Sequence, residues 1–203
     1  MESGFNMQKE KIKIGVHIPN GNIPDVQLTN PELGNPGIGG TPFLLFSLPY
    51  YLKKYFENEF EFLLLAENEK TILTNFETVA VKSLTDAARI AKRFSCEIII
   101  FRPSFDKQTL SFLKEIKELK IKSIAWMHNT PMLLLNHLHR NDYITRCVCV
   151  GREQYEKLRD HAIINKLSMI FNAVDLSHIH YDENIRKTKL VVFLGSLVFA
   201  KGF

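Results

Sequence analysis

The sequence predicts a doubly wound α/β domain around a mostly parallel sheet, and three observations carry that reading. Short apolar strands alternate with helical patterns along almost the whole length, as βαβ units require. Glu97 to Phe101 (EIIIF) is too continuously apolar for a half-exposed strand and reads as buried on both faces. A glycine-rich loop and a histidine each follow a strand, which places chemistry where parallel sheets collect ligands.

Lys11 to Ile18 (KIKIGVHI) is the first strand, followed by a long polar, Pro- and Gly-containing stretch before Gly34-Asn35-Pro36-Gly37-Ile38-Gly39-Gly40-Thr41-Pro42. Four glycines in seven residues leave the backbone free to take positive φ and to approach a ligand closely. Thr41 has the chemistry of an N-cap and Pro42 of a first helical residue, so amide N–H groups are expected to converge on an anion there. The distance from the first strand argues against a dinucleotide fingerprint, whose glycines follow their strand directly. The helix from Pro42 to Phe56 is apolar almost all round, implying burial on more than one side. Pro49 in its interior is expected to kink or interrupt it, at roughly 3 kcal/mol if nothing compensates.

Glu59 to Leu65 is the next strand and Val79 to Val81 a short one. Ser83 with Asp86 makes a capping box for a helix whose apolar stripe is Leu84, Ala87, Ala88, Ala91 and Phe94. The helix Lys107 to Lys120 is expected to bury Leu110, Leu113 and Ile116 and to expose Lys107, Lys114, Lys117 and Lys120. Lys122 to Met127 is a strand delivering His128-Asn129-Thr130-Pro131, and Pro131 to Leu135 starts another helical turn. Cys147 to Val150, Arg152 to His161 and Leu167 to Phe171 read as strand, helix and strand. Leu176 to Lys189 is polar, like a connector, and Leu190 to Leu194 reads as a strand that opens a further domain. The expected division is 1–175, connector 176–189, and 190–203.

With 45% hydrophobic and 24% charged residues, the composition is that of a globular protein with a full core. A net charge of +4 is too mild to suggest nucleic-acid binding. Cys96, Cys147 and Cys149 make an odd count on strands, which suits a reducing cytosol. His137/His139 and His178/His180 lack an accompanying carboxylate or cysteine cluster, so no metal site is expected. The lysine face of 107–120 and the apolar turn Met132 to Leu135 are candidates for peripheral contact with anionic lipid, against the plainer reading of a solvated face.

Five stretches, taken in order, resemble the N-terminal half of a GT-B glycosyltransferase of family 4 (glycosyl transferases group 1). They are Gly39-Gly40 opening an apolar helix, His128 within Trp126 to Thr130, Val148 to Arg152, Asn172-Ala173-Val174-Asp175, and Val191 to Gly202. The resemblance implies a Rossmann-like acceptor-side domain facing a donor-binding one. It implies that Gly39, Gly40, Thr41 and Lys201 meet the donor diphosphate and that His128 serves the reaction centre. Asn129, Thr130 and Asn172 become candidate acceptor or sugar contacts. The partners implied are a nucleotide sugar and a glycan or lipid-linked acceptor, in bacterial cell-envelope assembly at the cytoplasmic side, with no resident cofactor and no active-site metal. Two positions depart from the family pattern: Gly151 where a serine is usual, and Ser196 where an arginine is usual. The 203 residues are expected to be inactive alone, and strand 190–199 to fold back on the first domain or to associate with another copy. A hexosamine 2-epimerase of the same architecture and a non-catalytic sugar- or partner-binding domain are the alternatives.

Overall fold

The computed structural model describes residues 10–70, 72–73, 75–104, 106–173 and 175–176. The expected strand 190–194, Ser196, Lys201, His178/His180, and Val174 of the Asn172–Asp175 motif lie outside them, as does the connector beyond Leu176. In chain order the elements are β1 (Ile12–Ile18), β2 (Gln27–Leu28), α1 (Gly40–Tyr55), β3 (Phe60–Ala66), β4 (Ile72–Leu73), β5 (Glu77–Ala80), α2 (Leu84–Arg93) and β6 (Ile98–Phe101). Then come α3 (Lys107–Leu119), β7 (Lys122–Met127), α4 (Leu135–Arg140), β8 (Ile144–Cys149), α5 (Arg152–Lys157) and β9 (Leu167–Met169).

Seven strands form one all-parallel sheet in the order β5-β3-β1-β6-β7-β8-β9. The chain works outward from β1 to one edge, then returns through α2 to lay β6 on the other side of β1. This is the Rossmann-like strand order, and the reversal opens a crevice between the carboxyl ends of β1 and β6. β2 and β4 pair separately as a two-stranded ribbon, which no local pattern in the sequence announced.

Alternation along each buried strand sorts side chains onto two faces. Leu63, Leu65, Ile99, Phe101, Ala125, Met127 and Cys147 meet α2, α3 and α4 on one face. Ile14, Val16, Ile18, Phe62, Leu64 and Ile100 meet α1 and the segment before it on the other. β6 therefore feeds both clusters, as its continuous apolar run requires.

The helices correct several expectations. α1 begins at Gly40 with Gly39 as its N-cap, so Thr41 is a second helical residue and Pro42 a third. Gly39 takes the cap conformation that threonine was expected to supply, and Pro42 still falls among the first amides, which have no intrahelical partner. α1 runs through Pro49 without a break; Pro49 is buried, and the packing of its ring offsets part of the lost hydrogen bond. Ser83 Oγ accepts from the Asp86 N–H (3.2 Å), but the Asp86 carboxylate accepts from the Lys82 N–H (3.0 Å) instead of returning to Ser83. α3 buries Thr109, Phe112, Leu113 and Ile116, while Leu110 is only half-buried, so its apolar stripe is rotated from the expected one. The lysine face of α3 is exposed, and the bidentate pair Arg89–Glu115 (2.8 and 2.9 Å) ties α2 to α3 beside it.

The helix expected over 152–161 stops at Lys157. His161 Nδ1 accepts from the Ile163 N–H (3.1 Å) and starts a 3-10 turn over Ala162–Lys166 instead. At Gly151 no side chain caps α5. Gln154 takes up the slack: it accepts from the Val150 N–H (3.0 Å) and donates to the Met127 carbonyl (2.9 Å), joining the ends of β7 and β8.

Candidate functional site

The carboxyl edge of the sheet gathers the residues with chemistry. α1 ends beside the start of β1, where Lys11 Nζ donates to the Glu57 carbonyl (2.9 Å) and the Ile12 N–H to the Glu59 carbonyl (2.9 Å). A sixteen-residue helix is about 24 Å long, close to the length of a seven-residue strand. The start of α1 therefore lies at the opposite, carboxyl edge, the edge at which β7 delivers His128. Only β6 separates β1 from β7.

The glycine loop is pinned, not slack. Asn35 Oδ1 accepts from the N–H groups of Gly37 (2.9 Å) and Ile38 (3.0 Å), and Ile38 is buried in the α1-side core. Gly34, Gly37 and Gly39 all have positive φ, and Gly39 (φ 84°, ψ 153°) occupies a region essentially closed to other residues. The Asn35 turn consumes two of the amides that the sequence offered to an anion. What remains open is the helix start: the N–H groups of Gly40 and Thr41 precede the first helical bond, Phe43 N–H to Gly39 carbonyl (3.2 Å), and no side chain caps them.

His128 is half-buried, its ring centroid 5.0 Å from that of Trp126, and its Nε2 has no hydrogen-bond partner. Burial, and then the nearby charge of Arg102, hold its pKa below the ordinary value of 6.5, so the neutral imidazole is favoured. The unfolded chain therefore takes up a proton near pH 6.5 that the folded ring resists. Stability from this group is present above pH 6.5 and is lost as pH falls from there toward the folded value. Urea midpoints measured at about pH 7.5 and about pH 5.5 are expected to fall less in His128→Asn than in the wild type. An equal fall in both would show that His128 carries no such linkage.

Asn129 is exposed and Thr130 half-buried in the turn after β7, where the Thr130 carbonyl accepts from the Met132 N–H (2.9 Å). Asn172 lies elsewhere, on an apolar groove of about 470 Å³ between α1 and the segment after β9, walled by Leu48, Tyr51, Trp126, Phe171 and Leu176. The Tyr51 hydroxyl donates to Asp175 Oδ2 (2.9 Å), and burial, with Asp175 adding, pushes the phenol's pKa up. A second hollow of about 310 Å³ continues from it to Glu32, Gly34 and Asn35, so the structure brings Ala173 and Asp175 to the flank of the glycine loop. Gly39, Gly40, Thr41 and His128 border neither hollow.

Sequence reasoning missed part of this edge. Among the described residues, six buried side-chain nitrogens lack a hydrogen-bond partner. Five belong to His17, Arg102, Trp126 and His128, at or just past the ends of the adjacent strands β1, β6 and β7. Native interiors rarely leave such groups idle. The available signal was positional: a histidine near the end of one apolar run and an arginine immediately after another. The cysteines, by contrast, are inert packing; burial pushes the Cys147 thiol up to about 12 and those of Cys96 and Cys149 to about 11. Among the described residues no cluster of three His, Cys, Asp or Glu side chains is placed to hold a metal, and no helix is long and apolar enough to cross a membrane. No family model, no curated protein and no solved structure matches this chain.

Proposed function

We propose that the chain is the acceptor-side domain of a nucleotide-sugar-dependent, retaining glycosyltransferase of GT-B architecture, serving glycan or glycolipid assembly. The observation that carries the reading is the pairing, on one sheet edge, of an uncapped glycine-opened helix start with a neutral histidine whose Nε2 is unpaired. Transfer from a nucleotide sugar builds negative charge on the departing diphosphate. Fixed amide N–H groups at a helix start stabilise that charge more as it develops than before, which lowers the barrier. The open amides of Gly40 and Thr41 suit this role, and Gly39 adds no side chain between backbone and phosphate. In this reading Lys201 adds a cation from the donor side. A neutral His128 offers one ring nitrogen to a sugar hydroxyl without placing a positive charge beside an oxocarbenium-like centre.

The test is release of nucleoside diphosphate from a panel of uridine, guanosine and adenosine diphosphate sugars by the whole protein, with and without glycan and lipid-linked acceptors. Acceptor-stimulated release with one donor is the expected result. A glycosidic linkage in the product supports transfer, and a free epimerised sugar assigns the epimerase instead. Absence of turnover with every donor would overturn the proposal.

A further inference from the structure

The crevice at the reversal of strand order is lined by a buried histidine and an arginine whose Nε lacks a hydrogen-bond partner. It encloses about 310 Å³ between His17 on β1, Glu67 after β3, Arg102 and Ser104 after β6, and Asp106 and Gln108 at the start of α3. His17 is only 3% exposed. The other buried polar side chains among the described residues are satisfied. Asn20 exchanges bonds with the Asn68 backbone, Ser47 and Ser123 donate to carbonyls, and Thr109 Oγ1 accepts from the Ser104 N–H. His17 has neither ring nitrogen hydrogen-bonded. Its Nε2 lies 3.4 Å from Glu67 Oε1, within ion-pair distance but without the geometry of a hydrogen bond. Arg102 Nε is buried and unpartnered beside it. A buried imidazole whose one near contact is the edge of the Glu67 carboxylate, and a half-buried arginine whose enclosed Nε has no partner, both line this cavity and mark a place where a ligand completes the hydrogen bonding.

The charges select the ligand class. Glu67 and Asp106 set two carboxylates against the one guanidinium of Arg102, so a phosphate would meet net repulsion. A cation fares no better. Asp106 spends its oxygens on the Thr109 N–H (2.8 Å) and the Ser104 hydroxyl (2.6 Å), Glu67 Oε2 accepts from the Gly21 N–H (3.3 Å), and Arg102 repels it. Contact with His17 is the main influence holding the Glu67 carboxyl below its ordinary range, so Glu67 is an ionised acceptor. A carboxylate acceptor facing guanidinium, imidazole and amide donors matches vicinal hydroxyls, which donate to one and accept from the others.

We infer that this crevice binds a single sugar ring or a similarly polyhydroxylated ring, gripped by Glu67, Arg102 and His17. The binding needs no nucleotide donor; only the ligand's role as an acceptor rests on the transfer proposed above.

Saturation-transfer NMR on the chain with millimolar methyl α-D-glucopyranoside, N-acetylglucosamine and myo-inositol tests it. Saturation is expected to reach the ring protons of at least one probe. Arg102→Gln and Glu67→Gln are each expected to weaken that binding about tenfold, as loss of a charged hydrogen bond does. Leu48→Ser, in the apolar groove, should leave it unchanged. Gln108→Ala, at an exposed wall of the crevice, serves if Glu67→Gln does not fold. No transfer to any probe, equal binding by wild type and Arg102→Gln, or displacement of the probe by inorganic phosphate would each overturn the inference. A protein that binds the ring but turns over no nucleotide sugar keeps this site and loses the transferase reading.

Discussion

Phe112→Ala is expected to destabilise the fold by about 3–5 kcal/mol, a large part of the roughly 5–15 kcal/mol that holds a domain of this size together. Phe112 is fully buried on α3, and its ring centroid stands 4.4 Å from that of Phe101 on β6. Removing it opens a cavity between the helix and the central strand, and the neighbours Ile99, Leu113 and Ile116 belong to elements too regular to collapse into it. Phe56→Ala gives the contrast, because that ring is 45% exposed just past α1 and its loss should cost under about 1 kcal/mol. Urea unfolding of the two variants beside the wild type checks both values. A Phe112→Ala cost below that of Phe56→Ala would mean that α3 does not pack on β6 as described.

The contrast between these two phenylalanines shows what the sequence made legible. Strands β3, β6 and β7 were readable because each carries a run of four or more consecutive apolar residues, which burial on both faces explains, and β1 because Ile12, Ile14, Val16 and Ile18 recur at every second position. Helix faces were readable where small residues repeat, as in Ala87, Ala88 and Ala91, and less so in α3, where Leu110 and Phe112 compete for the inward position. The start of α1 was misplaced by two residues because Thr41-Pro42 is a good local cap signal. Gly39 at φ 84° answers instead to the loop that Asn35 and Ile38 pin down, a constraint invisible locally. The site divides in the same way. The glycine loop and His128 announce themselves by composition and by position after a strand. His17, Glu67 and Arg102 do not, since they come together only through the pairing of β3, β1 and β6, across 50 and 35 residues of chain. His17 alternates with Val16 and Ile18 inside an apolar run and looks like one more strand residue until its empty hydrogen-bonding positions are seen.

For the transfer proposed above, assayed with the whole protein, His128→Ala is expected to lower the rate by about 10²- to 10³-fold, the usual cost of removing one fixed hydrogen-bonding group from a reaction centre. The loss should appear in kcat more than in KM, because a hydrogen bond to a sugar hydroxyl that tightens as the oxocarbenium-like centre forms contributes little to ground-state binding. The geometry favours a clean experiment. The backbone of His128 is held by its own N–H to the Trp126 carbonyl (3.2 Å), which alanine keeps, and the half-buried ring fills no sealed part of the core. The folded state should therefore survive, as the urea midpoint will show. His128→Asn or His128→Gln, which restore a neutral donor near the position of a ring nitrogen, should recover part of the rate, whereas a purely structural role would give no such recovery. The wild-type kcat profile should also stay flat as pH drops through 6.5, since the folded imidazole remains neutral below that value. Transfer by His128→Ala within about fivefold of the wild type, where a reaction-centre donor predicts at least a hundredfold loss, would remove His128 from the chemistry and leave the glycine-opened helix without its partner.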